Sequence, residues 1–274
     1  MTCDVEDYFQ VSAFEGVVPR ERWTAVECRI ARNLDRILQL FDEHDVKATF
    51  FTLGWMAANY PGAVRRIVEA GHEVASHGMQ HCRVWTQHAE EFRDDAERSR
   101  KLLEDVCGVP VLGYRAASWS IDRRTPWAHK VLEEVGYKYS SSVYPVSSDH
   151  YGMPDAPWKP FVAAGTNIME IPPTTLRFLG RNVPVAGGGY FRLYPLALST
   201  YFLRRHLRST PVPYLFYFHP WELDPDQPRL NGISMKSRFR HFLNLKSFEK
   251  RLRVLLQNFR WGRMDEVYFS EGAG

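Results

Sequence analysis

The sequence is poor in several features, and each shortage excludes a class of protein. Only four cysteines occur in 274 residues, Cys3, Cys28, Cys82 and Cys107, and none are in CxxC spacing. Neither a zinc clip nor a dithiol redox pair is encoded, and no disulfide framework is needed. No apolar run reaches the length of a membrane span, and the N-terminus lacks the basic and apolar regions of a signal peptide, so a cytoplasmic location is expected. Neither GxGxxG nor GxxxxGK(S/T) follows any apolar run. The glycine run "AGGGYF" (186–191) shows no helix after it, so a tight loop is expected there, not a phosphate cradle. The net charge is only +3, too weak and dispersed to argue for nucleic acid. The basic C-terminal stretch "MKSRFRHFLNLKSFEKRLRVLLQNFRWGR" reads as a solvated helix face. Repeats, low-complexity tracts and linkers are absent, which predicts a single domain over 1–274.

What the sequence does have is regular alternation. At 45% hydrophobic and 24% charged it can build one large core. Apolar residues at Ile30, Leu34, Ile37, Leu38 and Phe41 predict a helix, and the compact run "ATFFTLG" after it predicts a buried strand. "PGAVRRIVEAG" has proline at a helix start and glycine past its end, and leads into "EVAS". A polar helix from about Gln87 to Val106 precedes "VLGYR", and "TPWAHKVLEEVG", with Thr125 as cap, precedes "YKYSSS". "NIMEIPP", a helix over "LALSTYFLRRHL", the strand "YLFYFH", a helix over "FEKRLRVLLQNF" and a final strand "EVYFS" complete the pattern. Seven or eight strands alternating with helices in one chain predict an α/β fold, with a parallel sheet closed as a (β/α) barrel.

In such a barrel the loops after the strands carry the site. Asp4, His77, Arg115 and His219 each fall within a residue or so of a predicted strand's end. His77 and His81 in "SHGMQH" are four apart, as two ligands on one helical turn would be. Asp4, Glu6 and Asp7 in "DVEDYF" supply more acid than one ion needs, so one carboxylate can ligate while another acts as general base. Strand alternation favours Asp4 and Glu6 on one face, whereas a turn there would equally present Asp7. Taken singly, these residues have plainer readings: histidines capping a loop, an arginine in an ion pair, a core histidine at 219. Trp119, Tyr190 and Trp221 read as packing, or as aromatics stacking on a sugar at the barrel mouth.

The segments "DVEDYFQVSAFE", "ATFFTLGW", "EVASHGMQH", "YRAASWSI", "DHYGMPDAP", "GGGYFR" and "FHPWELDPDQPR" resemble the polysaccharide deacetylases, the fourth family of carbohydrate esterases, and among them the branch found in bacterial exopolysaccharide biosynthesis loci. The resemblance spans almost the whole chain. It implies a distorted seven- to eight-stranded (β/α) barrel and a divalent metal cofactor, Zn²⁺ first, with Co²⁺ or Ni²⁺ as substitutes. It implies Asp4 as base, Glu6 or Asp7 with His77 and His81 as metal ligands, Arg115 steadying the base and His219 as acid. Two departures stand out. The broad family has adjacent aspartates where this chain spaces its acids as "DVED", and an aspartate tuning the acid histidine where this chain has Ser140. A first strand with only Met1–Cys3 before the acids is also what truncation at the N-terminus would leave.

The activity implied is attack of a metal-bound water on an acetamide carbonyl, releasing acetate from an N-acetylated polysaccharide or oligosaccharide. The same parts would serve an amidohydrolase acting on a small cyclic amide or ureide, and a chain that had lost catalysis would remain a sugar-binding protein.

Overall fold

The structure, a computed structural model, describes residues 1–148 and 151–269. Ten strands occur along them: β1 (Thr2–Val5), β2 (Thr49–Thr52), β3 (Glu73–Ser76), β4 (Gly113–Tyr114), β5 (Tyr139–Ser140), β6 (Phe161–Val162), β7 (Met169–Glu170), β8 (Thr175–Phe178), β9 (Arg181–Pro184) and β10 (Tyr217–Phe218). The α-helices are α1 (Ile30–Asp42), α2 (Gly54–Asn59), α3 (Pro61–Glu69), α4 (Ala89–Cys107), α5 (Ala128–Val135), α6 (Gly188–Leu193), α7 (Leu196–Ser209), α8 (Met235–Phe242), α9 (Leu245–Asn258) and α10 (Met264–Phe269). None is long and apolar enough to cross a membrane. All four cysteines are free thiols.

Eight strands form one sheet in the order β10-β1-β2-β3-β4-β5-β7-β6, parallel except for the antiparallel β6. Val5, Thr52, Ser76, Tyr114, Ser140 and Glu170 stand level across it, which brings successive strands to a common end. Every residue of β1, β2 and β3 is buried, as expected of strands covered on both faces. The helices pack outside through stripes such as Ile30, Leu34, Ile37 and Phe41 of α1, while Phe51, Ala75, Tyr139 and Ile171 fill a smaller inner core.

The sheet is the distorted barrel expected from the sequence, but it does not close by strand pairing: β10 and β6 are its two ends. The reason is the connection after β7. Before the expected helix, α7, the chain makes the hairpin β8–β9, and the segment around it spans the gap. The Leu215 N–H donates to Thr174 Oγ1 at 2.8 Å, the Tyr214 hydroxyl to the Val185 carbonyl at 2.8 Å, and the Tyr144 hydroxyl to the Ala186 carbonyl at 3.1 Å.

Three local expectations change. "EVYFS" is not a strand: its described residues belong to α10, whose first N–H groups donate to Thr49 Oγ1 (from Met264, 2.7 Å) and Glu73 Oε2 (from Asp265, 3.2 Å) at the foot of the barrel. Those acceptors satisfy the donors that a helix start leaves open, and they override the β-preference of valine, tyrosine and phenylalanine. A helix, α6, does follow the first glycines of "AGGGYF". Thr125 does not cap α5; its Oγ1 accepts the Asp122 N–H at 3.1 Å in the turn before it.

His72, just before β3, is a buried neutral imidazole: its Nδ1 accepts the Ala48 N–H at 3.2 Å and its ring packs on Phe41 and Phe50. Burial first, then Lys47 and Arg263, lower its pKa from 6.5 to about 4. Between these values the native protein binds fewer protons here than the unfolded chain. The stability this neutral ring contributes is full above 6.5 and is lost as pH falls toward 4. Urea midpoints at about pH 7 and about pH 4.5 should therefore fall further in the wild type than in His72→Leu protein; equal falls would remove His72 from the acid sensitivity.

Candidate active site

The level strand ends gather the site. After β1 the chain turns tightly, with the Glu6 N–H donating to the Asp4 carbonyl at 2.9 Å, and Asp4 and Glu6 come to one side. Asp7 goes the other way. Its Oδ1 accepts the Tyr8 N–H at 2.8 Å, its Oδ2 accepts the Arg29 N–H just before α1, and its own N–H donates to Gln10 Oε1 at 2.8 Å. Burial raises its pKa to about 6, with the N–H donors pulling the other way. Of the two acids left open by the sequence, Glu6 joins the histidines and Asp7 anchors the loop leading to α1.

His77 and His81 lie on a loop, not a helical turn: Gly78 (φ +77°) and His81 (φ +54°) are both left-handed. A β-carbon at Gly78 would meet Asp95 Oδ2 at 2.9 Å, so glycine is required by space as well as by angle. The imidazole centroids are 5.3 Å apart. The ligand atoms of Glu6, His77 and His81 all lie within 4.8 Å of one another, and all three residues are buried.

These residues fit a divalent cation. Glu6 Oε2 is buried without a hydrogen bond although His81 Nε2 is 2.9 Å away, an arrangement that a shared cation would satisfy. His77 Nδ1 sits 2.7 Å from the Arg115 carbonyl oxygen, so it carries the proton and leaves Nε2 with a free lone pair, the usual orientation of a metal-binding imidazole. Burial lowers the His77 pKa to about 4, keeping it neutral. Burial alone would raise Glu6, but His81, His219 and His77 outweigh it and hold the carboxyl at about 2, ionised as a ligand must be.

Arg115 follows β4 and is fully buried. Its Nη1 donates to Asp4 Oδ1 at 2.5 Å and Thr2 Oγ1 at 2.9 Å, and its Nη2 to Ser141 Oγ at 3.0 Å. The guanidinium carbon lies 3.9 Å from the Phe51 ring centre and 4.8 Å from that of Trp119. A guanidinium clamped in this way fixes one Asp4 oxygen.

The other Asp4 oxygen faces His219, whose Nε2 is 3.9 Å from Asp4 Oδ2 and 3.4 Å from Glu6 Oε1. His219 directly follows β10, and its Nδ1 is held at 3.2 Å by Glu222 Oε2, which also accepts the His219 backbone N–H at 3.0 Å. Burial pushes the imidazole pKa down, but the Glu222 hydrogen bond and the charges of Glu6, Glu222 and Asp4 prevail, raising it to about 9. The ring is thereby kept as a proton donor at neutral pH.

Ser140 plays no part in this. Its hydroxyl donates to Ser142 Oγ at 2.8 Å, and the carboxylate that the sequence left unassigned is Glu222. Glu222 is itself held by buried Arg192, whose Nε donates to Oε1 at 2.7 Å and whose Nη1 donates to the carbonyls of Arg240, His241 and Leu243. Arg192 and His219 outweigh the burial that would raise the Glu222 pKa, and it lies below the ordinary value. The glycine run serves this arrangement, because a β-carbon on Gly188 would lie 1.9 Å from Glu222 Oε2. The sequence signal existed: Glu222 stands three residues after His219 in "HPWE", a capping-box spacing.

The aromatic residues divide. Trp119 and Trp221 are only 6% and 5% exposed and belong to the walls. Trp221 is stacked between His219 and His241, with centroids at 5.2 and 4.2 Å, and Trp119 packs on Tyr144 and Tyr217. Tyr190, stacked on Tyr194, keeps a partly exposed ring.

Comparison with known proteins follows the same lines. Residues 27–140 match the polysaccharide deacetylase family model, and residues 141–269 match a domain of unknown function (DUF3473). A peptidoglycan deacetylase of Helicobacter pylori is 31% identical over 110 residues, 40% of this chain and 36% of that one. A chitooligosaccharide deacetylase of Bradyrhizobium sp. is 25% identical over 183 residues, 58% of this chain and 81% of that one. This chain thus spans about a third of the first relative and four fifths of the second. A Mycobacterium smegmatis protein assigned as a candidate polysaccharide deacetylase shares the fold, with TM-score 0.58 and 20% identity over 95% of this chain and 86% of that one. It is thus through residues 27–140, which carry His77, His81 and Arg115, that the chain is similar to the polysaccharide deacetylase family.

Proposed function

We propose that this protein removes N-acetyl groups from the amino sugars of a polysaccharide, an exopolysaccharide in preference to a small cyclic amide, with a divalent ion held by Glu6, His77 and His81. The observation that carries this reading is the meeting, at one end of the sheet, of that three-ligand cluster with the Asp4–Arg115 pair and the His219–Glu222 pair. Relatives named for deacetylating peptidoglycan and chitooligosaccharide support the substrate class. A bound ion would supply Lewis acidity toward an amide carbonyl and toward water, and the two imidazoles and one carboxylate suit Zn²⁺, Co²⁺ or Ni²⁺. Asp4, with one oxygen fixed by Arg115, takes the proton from the attacking water. His219, protonated and backed by Glu222, gives a proton to the leaving nitrogen. The whole chain acts as one catalytic unit on this reading, since His77, His81 and Arg115 lie in the first matched segment, His219, Glu222 and Arg192 in the second, and Asp4 and Glu6 before both.

The test combines metal analysis with acetate release. Glu6→Ala protein should lose its ion and Asp7→Ala should keep it, with Asp7→Ala less stable because the Arg29 and Tyr8 N–H groups lose their acceptor. Oligomers of N-acetylated hexosamine should release acetate faster than the monosaccharide, because remote sugar contacts supply binding energy used at the reacting centre. A metal-loaded protein that releases no acetate from any N-acetylated glycan would end this reading, as would full metal content in Glu6→Ala.

A further inference from the structure

Charge is distributed unevenly along this chain. From Ile171 to Trp221, 51 residues contain six arginines and neither aspartate nor glutamate. With 35 basic and 32 acidic residues in all, the rest of the chain has 29 against 32. Arg192 is buried on Glu222; the other five, Arg177, Arg181, Arg204, Arg205 and Arg208, are exposed. None of those five forms an ion pair with a described residue. This stretch builds the hairpin β8–β9 and helix α7, which are both seated on Tyr214: its hydroxyl bonds Val185 just after the hairpin and its ring packs on His206 of α7.

The hairpin tip reads "RFLGR". Its two-residue turn, Leu179–Gly180, has φ +47° and +76°, a conformation for which Asn-Gly is the favoured pair. Leucine there costs stability, since a side chain with a β-carbon is strained in the left-handed region. Nothing in the fold repays it: Leu179 is 87% exposed and the neighbouring Phe178 61%. A strained, solvent-facing leucine beside an exposed phenylalanine, flanked by two arginines, serves something outside the chain.

We infer that this hairpin tip binds an anionic membrane surface, with Phe178 and Leu179 entering the acyl boundary and Arg177 and Arg181 on phosphate headgroups. Charge complementarity selects the partner, because the segment that builds the hairpin has arginines and no acid to repel a phosphate layer. Shape does the same, since a protruding apolar tip needs a phase that yields around it. Peripheral attachment of this kind takes one inserted apolar group together with a polybasic patch.

The test is co-flotation of the full chain with phosphatidylcholine vesicles and with phosphatidylcholine/phosphatidylglycerol vesicles. The protein should float only with the latter and be released by high salt. Arg177→Gln/Arg181→Gln should weaken binding about 25-fold, at about fivefold per charge near the surface. Leu179→Asn gives effects of opposite sign: vesicle binding should fall while thermal stability rises, whereas a structural role for Leu179 predicts falling stability. Failure of the wild type to float with anionic vesicles, unchanged binding in both variants, or capture by a soluble acidic polysaccharide in place of vesicles would overturn the inference.

Discussion

Asp4→Asn protein should keep its metal and lose about 10²–10⁴ in kcat for acetate release, the range for a positioned proton-transfer group. The expectation follows from where Asp4 stands. It lies outside the Glu6–His77–His81 cluster, one oxygen is taken by Arg115 at 2.5 Å, and the other faces His219 at 3.9 Å. An amide has the same shape but cannot take a proton. It also leaves the fully buried Arg115 without its counter-charge, and breaking a buried pair from one side costs about 3–5 kcal/mol. Activity must therefore be compared at equal folded fraction, read by circular dichroism on the same samples. A folded, metal-loaded Asp4→Asn protein with kcat close to wild type would take the proton-accepting role away from Asp4.

Glu222→Ala should be strongly destabilising. Its carboxylate is fully buried and answers two groups, Arg192 Nε at 2.7 Å and His219 at both Nδ1 and the backbone N–H. Removing it strands a buried guanidinium, again a loss of about 3–5 kcal/mol, which for a chain of this size lowers the melting temperature by about 6–20 °C. Gly188→Ala should act in the same direction without touching any charge, because its methyl would enter the space of Glu222 Oε2. Both variants should retain metal, since neither residue belongs to the ligand cluster, and in both the loss should appear in kcat more than in KM as His219 loses its fixed direction. An unchanged melting temperature in Glu222→Ala would show that the Arg192–Glu222 pair does not brace the site.

The sequence by itself determined the layers of this protein and most of the residues that meet at the candidate site. Amphipathic periodicity in α1, proline at the start of α3, and Gly108 and Gly136 in left-handed conformation after α4 and α5 are local properties, set by side-chain spacing and backbone sterics, and they were legible without partners. The strand ends at Asp4, His77, Arg115 and His219 followed from that order, because parallel strands deliver their C-terminal loops to one side. The tertiary structure decided what depends on contacts between distant segments. It chose Glu6 over Asp7 because the Arg29 N–H, 22 residues on, takes the Asp7 carboxylate. It assigned the support of His219 to Glu222, because Arg192 and the opening left at Gly188 bring and hold that carboxylate there. It put residues 266–269 in the helix α10 because Thr49 and Glu73 accept the first N–H groups of that helix. It left the barrel unclosed because the segment around the hairpin β8–β9, bonded to Tyr214 and Leu215, spans the gap between β10 and β6. In each case the deciding group lies far along the chain, and the energy of a hydrogen bond or ion pair across that distance exists only once the fold has brought the two ends together.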